Sequence, residues 1–310
     1  MMKKKIKSII GINGYFYYLK LKELYMKIFL NSTSQKEKYI KKKFKKELGY
    51  EIDFNKEPET FNQKIQFRKL YDNNPLYSIC ADKYRVREYV KEKIGEEYLI
   101  PLYLVTDKLT EEQWDKLPNS FVAKANHNSG PVQIVKDKSK VNKKKIIKEL
   151  NNQLKIDYGT ISLEKYYSDI PRKIIIEKLL IDKTRTILQD IKINCFNKEK
   201  DKYFLDLCSR EKIEGKVLSV LYDQNWKNLK VTGGNLDIKE YRKPKNLDKI
   251  LKISKKLSEN FEYVRVDLYN IEEKIYFGEL TFCENSGFEK FTDESWDFKF
   301  GSYWEQKKLK

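Results

Sequence analysis

Two runs near the C-terminus, Arg265-Val-Asp-Leu-Tyr269 and Tyr276-Phe-Gly-Glu-Leu-Thr-Phe282, constrain the fold of this chain more than any other segment. Both alternate polar and apolar residues, and the polar link Asn270-Ile-Glu-Glu-Lys274 between them is short, so the pair predicts adjacent strands of a β-hairpin. Period two sets Arg265, Asp267 and Tyr269 on one face, with Val264, Val266 and Leu268 behind. In the second strand it groups Phe277, Glu279 and Thr281, with Gly278, Leu280 and Phe282 on the reverse. Two carboxylates facing the same way suit a hard cation such as Mg²⁺, and a neighbouring arginine suits phosphate oxygens. That pattern reads as a nucleotide-triphosphate site; the alternative is a salt-bridged sheet in which Arg265 only neutralises Asp267 and Glu279.

The 310 residues give ample length for about two domains, and 40% hydrophobic with 14% aromatic residues describes a globular chain with a polar surface. A formal charge of +18 favours anionic company, whether nucleic acid, lipid headgroups or an acidic substrate, although Lys, Ile, Asn and Tyr enrichment equally reflects an AT-rich gene. Cys80, Cys195, Cys208 and Cys283 contain no C-x-x-C pair, so neither a zinc site nor a disulfide framework is indicated, and a reducing cytoplasm fits best. Lys20, Lys22, Glu23 and Lys27 interrupt the apolar patch of the first thirty residues too early for a membrane span. The segment reads instead as an amphipathic helical lead able to touch a membrane surface.

Helices are expected over Tyr15 to Leu48 with a break at Asn31 to Ser34, after Thr60 as a cap, from Asp82 onward, over Asn142 to Leu154 and over Leu247 to Asn260. The helix from Asp82 would put Lys83 and Arg87 on one face. Strands are expected over Leu99 to Val105, on either side of a turn between Phe121 and Val135, over Lys173 to Leu180, and as a hairpin of Gln189 to Phe196 with Lys202 to Leu207. Glu211 to Lys243 reads as loop-rich.

Several of these elements carry groups that suit a triphosphate. Lys124 lies on a strand that runs into Asn126-His-Asn-Ser-Gly130, where an ammonium and backbone N–H groups can surround phosphate, or the lysine can simply reach solvent. The sole histidine, His127, sits in that turn, and no G-x-S-x-G elbow accompanies it. Glu177 ends an apolar strand and could hold a ribose, with the backbone of Lys178 to Leu180 free to pair with a purine edge. Asp190 and Lys192 alternate onto one face of a later strand.

Taken in order, Pro58-Glu-Thr-Phe-Asn-Gln-Lys64, Ala81-Asp-Lys-Tyr-Arg-Val-Arg87, Phe121-Val-Ala-Lys124, Ile174-Ile-Ile-Glu177, Asp190-Ile-Lys192 and the opening hairpin resemble the ATP-grasp superfamily. Within it the sequence is similar to the TupA-like family, associated with teichuronopeptide and surface-polysaccharide synthesis. The resemblance implies an α+β ATP-grasp fold in which two subdomains clasp ATP and Mg²⁺ behind a mainly helical N-terminal extension. The corresponding segments are residues 1–75 (helical), 76–180 (phosphate loop) and 181–310 (core with the metal site). It implies that Lys83, Lys124, Ser129, Gly130, Glu177, Lys178, Leu180 and Lys192 bind nucleotide. Asp267, Glu279 and Asn285 would hold metal, and Arg265, Lys192 and His127 would serve the chemistry. Thr281 stands where such enzymes commonly carry Asn, Ile191 where an aromatic is usual, a glycine after Asn197 is missing, and no Rossmann-like first domain is evident.

The implied activity is carboxylate–amine ligation through an acylphosphate in cell-surface or capsular polysaccharide synthesis. The expected substrates are an acidic glycan or lipid-linked sugar and an amine. A kinase-like phosphotransferase and a glycosyltransferase of the same pathway are the alternatives. A nucleic-acid module has only the charge in its favour, with no recognisable binding motif. The expected location is cytoplasmic, with contact at the inner face of the membrane left open.

Overall fold

The computed structural model describes residues 2–182, 190–197, 202–213, 216–237 and 240–306. Residues 2–13, 190, 208–213 and 216–217 are described in their backbone alone. The chain forms two compact units, one from Met1–Lys36, Pro75–Arg85 and Ile100–Leu179, the other from Glu37–Asn74, Val86–Leu99 and Leu180–Lys310.

The first unit is built on an antiparallel sheet of β1 (Leu102–Thr106), β2 (Phe121–Ala125), β3 (Gln133–Val135) and β4 (Ile174–Glu177), in the order β1-β4-β2-β3. Alternation on β2 buries Phe121, Ala123 and Ala125 and leaves Val122 and Lys124 on the reverse. Phe121 and Ala123 join Ile174, Ile176 and Trp114 in one apolar core, which the helix Lys143–Gln153 completes with Ile146 and Leu150. That helix starts where Asn142 accepts a hydrogen bond from the Lys145 amide. A 28-residue helix, Met2–Phe29, also belongs to this unit; among the described residues no helix is long and apolar enough to cross a membrane.

The second unit carries β5 (Asp190–Phe196), β6 (Lys202–Ile213), β7 (Lys216–Asp223), β8 (Asn235–Leu236), β9 (Tyr263–Ile271) and β10 (Lys274–Thr281) in the order β10-β9-β5-β6-β7-β8. All neighbours are antiparallel except the β7–β8 pair. The strand β7 lies in the stretch expected to be loop-rich. Its core Val-Leu-Ser-Val-Leu-Tyr is a good strand, but the lysines and acids around it dilute the signal in sequence.

The two faces of this sheet differ. Ile191, Ile193, Val264, Val266 and Leu268 point to the side covered by the amphipathic helix Leu247–Ser258, which buries Ile250, Ile253 and Leu257. The other face is graded along the strands. At one end Phe196 and Tyr263 pack with Phe61, Phe300 and Trp304; at the other end the face becomes charged. Phe61 opens the helix Phe61–Tyr71, which begins in the expected place: Thr60 and Gln63 form a reciprocal capping box. From that helix the buried Arg68 donates to the carbonyls of Tyr263 and Phe282, at 2.9 and 3.0 Å, and so ties it to the ends of β9 and β10.

The predicted hairpin is present, closed by a two-residue turn in which Glu272 and Glu273 both adopt positive φ, the twist that suits a tight antiparallel connection. One part of the expected alternation is corrected. Phe277 pairs with Leu268 and Glu279 with Asp267, so Gly278 is an extra residue in β10 and Phe277 lies on the buried side, opposite Glu279. Glycine suits that close approach: a Cβ would stand 2.9 Å from the Asp267 carbonyl oxygen.

Candidate functional site

Register alone assembles the charged end of the second sheet. Lys192 on β5 pairs with Asp206 on β6 and with Asp267 on β9, and Asp267 pairs with Glu279 on β10. Cross-strand partners share a face, so four strands contribute one row, Asp206–Lys192–Asp267–Glu279. Lys192 Nζ lies 2.7 Å from Asp267 Oδ2. One step along, Arg265 grips the same carboxylate in bidentate fashion, Nε to Oδ1 at 2.6 Å and Nη2 to Oδ2 at 2.8 Å. It also donates to Thr281 Oγ1 at 3.1 Å, stands 3.5 Å from Glu279 Oε1 and pairs with Glu284 just beyond β10. Burial works against the guanidinium charge, but Asp267 and Glu279 outweigh it and hold the Arg265 pKa above its ordinary value.

Glu289 adds a buried acid to this unit. Desolvation first, with a smaller push from Asp206, raises its pKa to about 8, and the Asn285 amide donates to its carboxyl. Gly233 leaves the space it occupies, since a Cβ there would fall 1.9 Å from Oε1.

On the face of the first sheet away from its core, Lys124 pairs with Glu177. Lys124 Nζ is 2.5 Å from Glu177 Oε1, a diagonal contact between β2 and β4. Their directly opposed residues are apolar: Ile175 faces Lys124, while Val122 and Leu102 face Glu177. Beyond β2 the loop is tied down by Asn126, whose amide donates to Asp82 at 2.8 Å and to the Pro171 carbonyl at 2.9 Å. Lys83 Nζ donates to the Asn128 carbonyl at 2.7 Å, and the Asn128 side chain accepts from the Gly130 amide at 3.0 Å.

A TupA-like ATP-grasp family model matches residues 63–305. The chain belongs to that family. This TupA-like chain is also similar to solved structures of D-alanine–D-alanine ligase from Helicobacter pylori, at 16% identity over 74% of this chain and 62% of that one, TM-score 0.37. The ligase of the same name from Bacillus anthracis matches at 19% identity over 72% of this chain and 64% of that one, TM-score 0.40. N5-carboxyaminoimidazole ribonucleotide synthetase from Thermus thermophilus matches at 12% identity over 73% of this chain and 52% of that one, TM-score 0.41. The chain thus spans less than two thirds of each of these proteins. No curated protein matches it.

The TupA-like sheet gathers Lys192, Arg265, Asp267 and Glu279, as the hairpin pattern implies, and in the other unit it pairs Lys124 with Glu177. Four expected residues stand differently. His127 is fully buried with Nε2 on the Ile156 carbonyl at 3.1 Å, and burial lowers its pKa to about 4, so its ring is neutral and turned into the unit. The Lys178 amide, expected to meet a purine edge, already donates to the Pro101 carbonyl at 2.9 Å. Lys83 precedes the helix Val86–Ile94 and therefore shares no helix face with Arg87. Asn285 adopts φ +41° and donates its amide to Glu289. Ser129 is exposed, Gly130 half-buried, and Leu180 half-buried just past β4.

Sequence reasoning missed Asp206, Glu284 and Glu289. Asp206 was within reach: the Gln189 to Leu207 hairpin was expected, and its register places residue 206 opposite Lys192. Mg²⁺ is commonly held by one or two carboxylates with phosphate oxygens completing the shell. Among the described residues no cluster of three or more acidic, His or Cys side chains suits a metal. The oxygen-only pair of Asp267 and the 42% exposed Glu279 side chain does fit that sparse requirement.

Proposed function

We propose that this protein is an ATP-dependent ligase that joins a carboxylate to an amine in the synthesis of a bacterial surface or capsular polysaccharide. The observation that carries the reading is the four-strand row of Asp206, Lys192, Asp267 and Glu279 beside a doubly held Arg265, within a chain of the TupA-like ATP-grasp family. A uronic-acid carboxylate would take the γ-phosphoryl group of ATP and release ADP. The amine would then displace phosphate from the acylphosphate to leave an amide.

Asp267 and Glu279 would hold Mg²⁺, which supplies charge neutralisation at the β- and γ-phosphate oxygens. Lys192 and Arg265 are cations fixed by Asp267 before any substrate arrives, so they meet developing negative charge without reorganising. In the first unit Lys124 is oriented by its pairing with Glu177. We assign His127 no part in the chemistry.

Calorimetric titration of Mg²⁺–ATP tests the site. Wild type should bind only with the metal, and Asp267→Asn and Glu279→Gln should each weaken binding by about tenfold or more. ADP release that requires both a uronic acid and an amine would then establish the ligation; release driven by a hydroxyl acceptor alone would replace it with phosphotransfer.

A further inference from the structure

The helix Met2–Phe29 has two apolar sides, of which its own unit uses one. At about 100° per residue, Met26 and the succeeding Leu30 fall together with Glu23 on a buried side. Glu23 accepts from the Asp157 amide at 3.2 Å and is clasped by Lys20 and Lys27 at 3.1 and 2.8 Å. On the opposite side Tyr17, Leu21, Leu24, Tyr25, Ile28 and Phe29 form a continuous stripe, each 49–68% exposed. The spacing of Tyr17, Leu21, Leu24 and Ile28 keeps them within about a 60° arc, which Tyr25 and Phe29 widen.

From the charge pattern and this exposed stripe we infer that the helix lies flat on an anionic phospholipid surface. Lys20 and Lys27 border the stripe on one side and Lys22 on the other. The helix carries seven lysines against the single Glu23, in a chain of formal charge +18. An apolar stripe between lysine borders is what the boundary between acyl chains and anionic headgroups accommodates, with aromatic rings at the headgroup level. A second copy of this chain would meet the same lysines rather than acids across the stripe, which disfavours self-association. The inference is independent of the proposed ligase, and its test uses neither ATP nor substrate.

The test is sedimentation of the full chain with large vesicles of phosphatidylcholine alone or with 30 mol % phosphatidylglycerol, a composition of about one anionic lipid in three. Wild type should bind the anionic vesicles at least about tenfold more strongly than the neutral ones, and lose most of that binding when salt is raised severalfold. Leu21→Glu with Ile28→Glu should cut binding about tenfold or more at unchanged thermal midpoint, because both side chains are already exposed. The milder Leu21→Ser with Ile28→Ser pair should weaken it in the same direction, which separates loss of the stripe from loss of fold. Failure of wild type to sediment with anionic vesicles, or equal binding by both variants, would overturn the inference. So would a lipid-free wild-type dimer that the glutamate variants render monomeric.

Discussion

The two sheets place charge on their strands in different ways. In the first unit Lys124 pairs with Glu177, and their cross-strand neighbours Ile175, Val122 and Leu102 make an apolar setting. In the second unit the signs alternate across four strands, and Asp267 alone is held by two cations. An isolated pair can be removed as a unit, whereas a row redistributes its imbalance through every neighbour. The second arrangement can therefore present cations to a ligand while each of them keeps an acidic neighbour.

Removing the arginine beside the row should have the largest effect. Arg265→Met leaves Asp267 to Lys192, takes the guanidinium from Glu284 and should cost about 4 kcal/mol in urea unfolding, the usual scale for breaking a buried ion pair. A loss no greater than that of Lys124→Met would erase the contrast between the sheets.

Next come the buried titratable groups, which pull in opposite directions. Glu289 has a folded pKa raised from 4.5 to about 8, so its contribution is complete below about pH 4.5 and is lost as pH rises through about 8. His127 is lowered from 6.5 to about 4, so its contribution is present above about pH 6.5 and lost as pH falls through about 4. Stability measured across pH should show Glu289→Gln sparing most of the loss between about pH 4.5 and 8 and leaving the acid limb intact. An unchanged alkaline limb would place the acid elsewhere.

The hairpin β9–β10 and the residues Arg265, Asp267 and Glu279 were legible because period-two alternation is a direct image of a half-buried strand. Lys124 and Glu177 were legible as strand residues, but their pairing depends on β2 and β4 being neighbours across some fifty residues of chain, which periodicity does not encode. His127 looked accessible because turns with Asn, Ser and Gly are commonly surface features; here Asn126 and Asn128 spend their amides holding the loop inward. Glu289 carries no local pattern at all, since its environment comes from Asn285, Gly233 and the sheet together.

The first sheet offers a cleaner measurement of pairing. Lys124→Met should cost about 2 kcal/mol by leaving Glu177 buried and unpartnered, and adding Glu177→Gln should recover most of it. In the row, Lys192→Met should not be rescued by Asp267→Asn, because Arg265 then loses its bidentate acceptor. Equal rescue in both double-mutant cycles would show that the row behaves as independent pairs. The smallest effect expected is that of Gly278→Ala, roughly 1 kcal/mol from crowding against the Asp267 carbonyl, read as a lowered thermal midpoint.

That glycine also sets a rule of parity. Odd-numbered positions of β10 face the core up to Phe277 and face the charged row from Glu279 onward, because the strand spends Gly278 without taking a step across the sheet. Were Gly278 paired as an ordinary strand residue, every side chain would stay chemically intact, yet the strand could satisfy only one half of its inventory at a time: docking Phe277 in its pocket would turn Leu280 toward the cations, and keeping Glu279 beside Asp267 would expel Phe277. The bulge works as a phase reset, letting one continuous strand carry two incompatible alternations end to end.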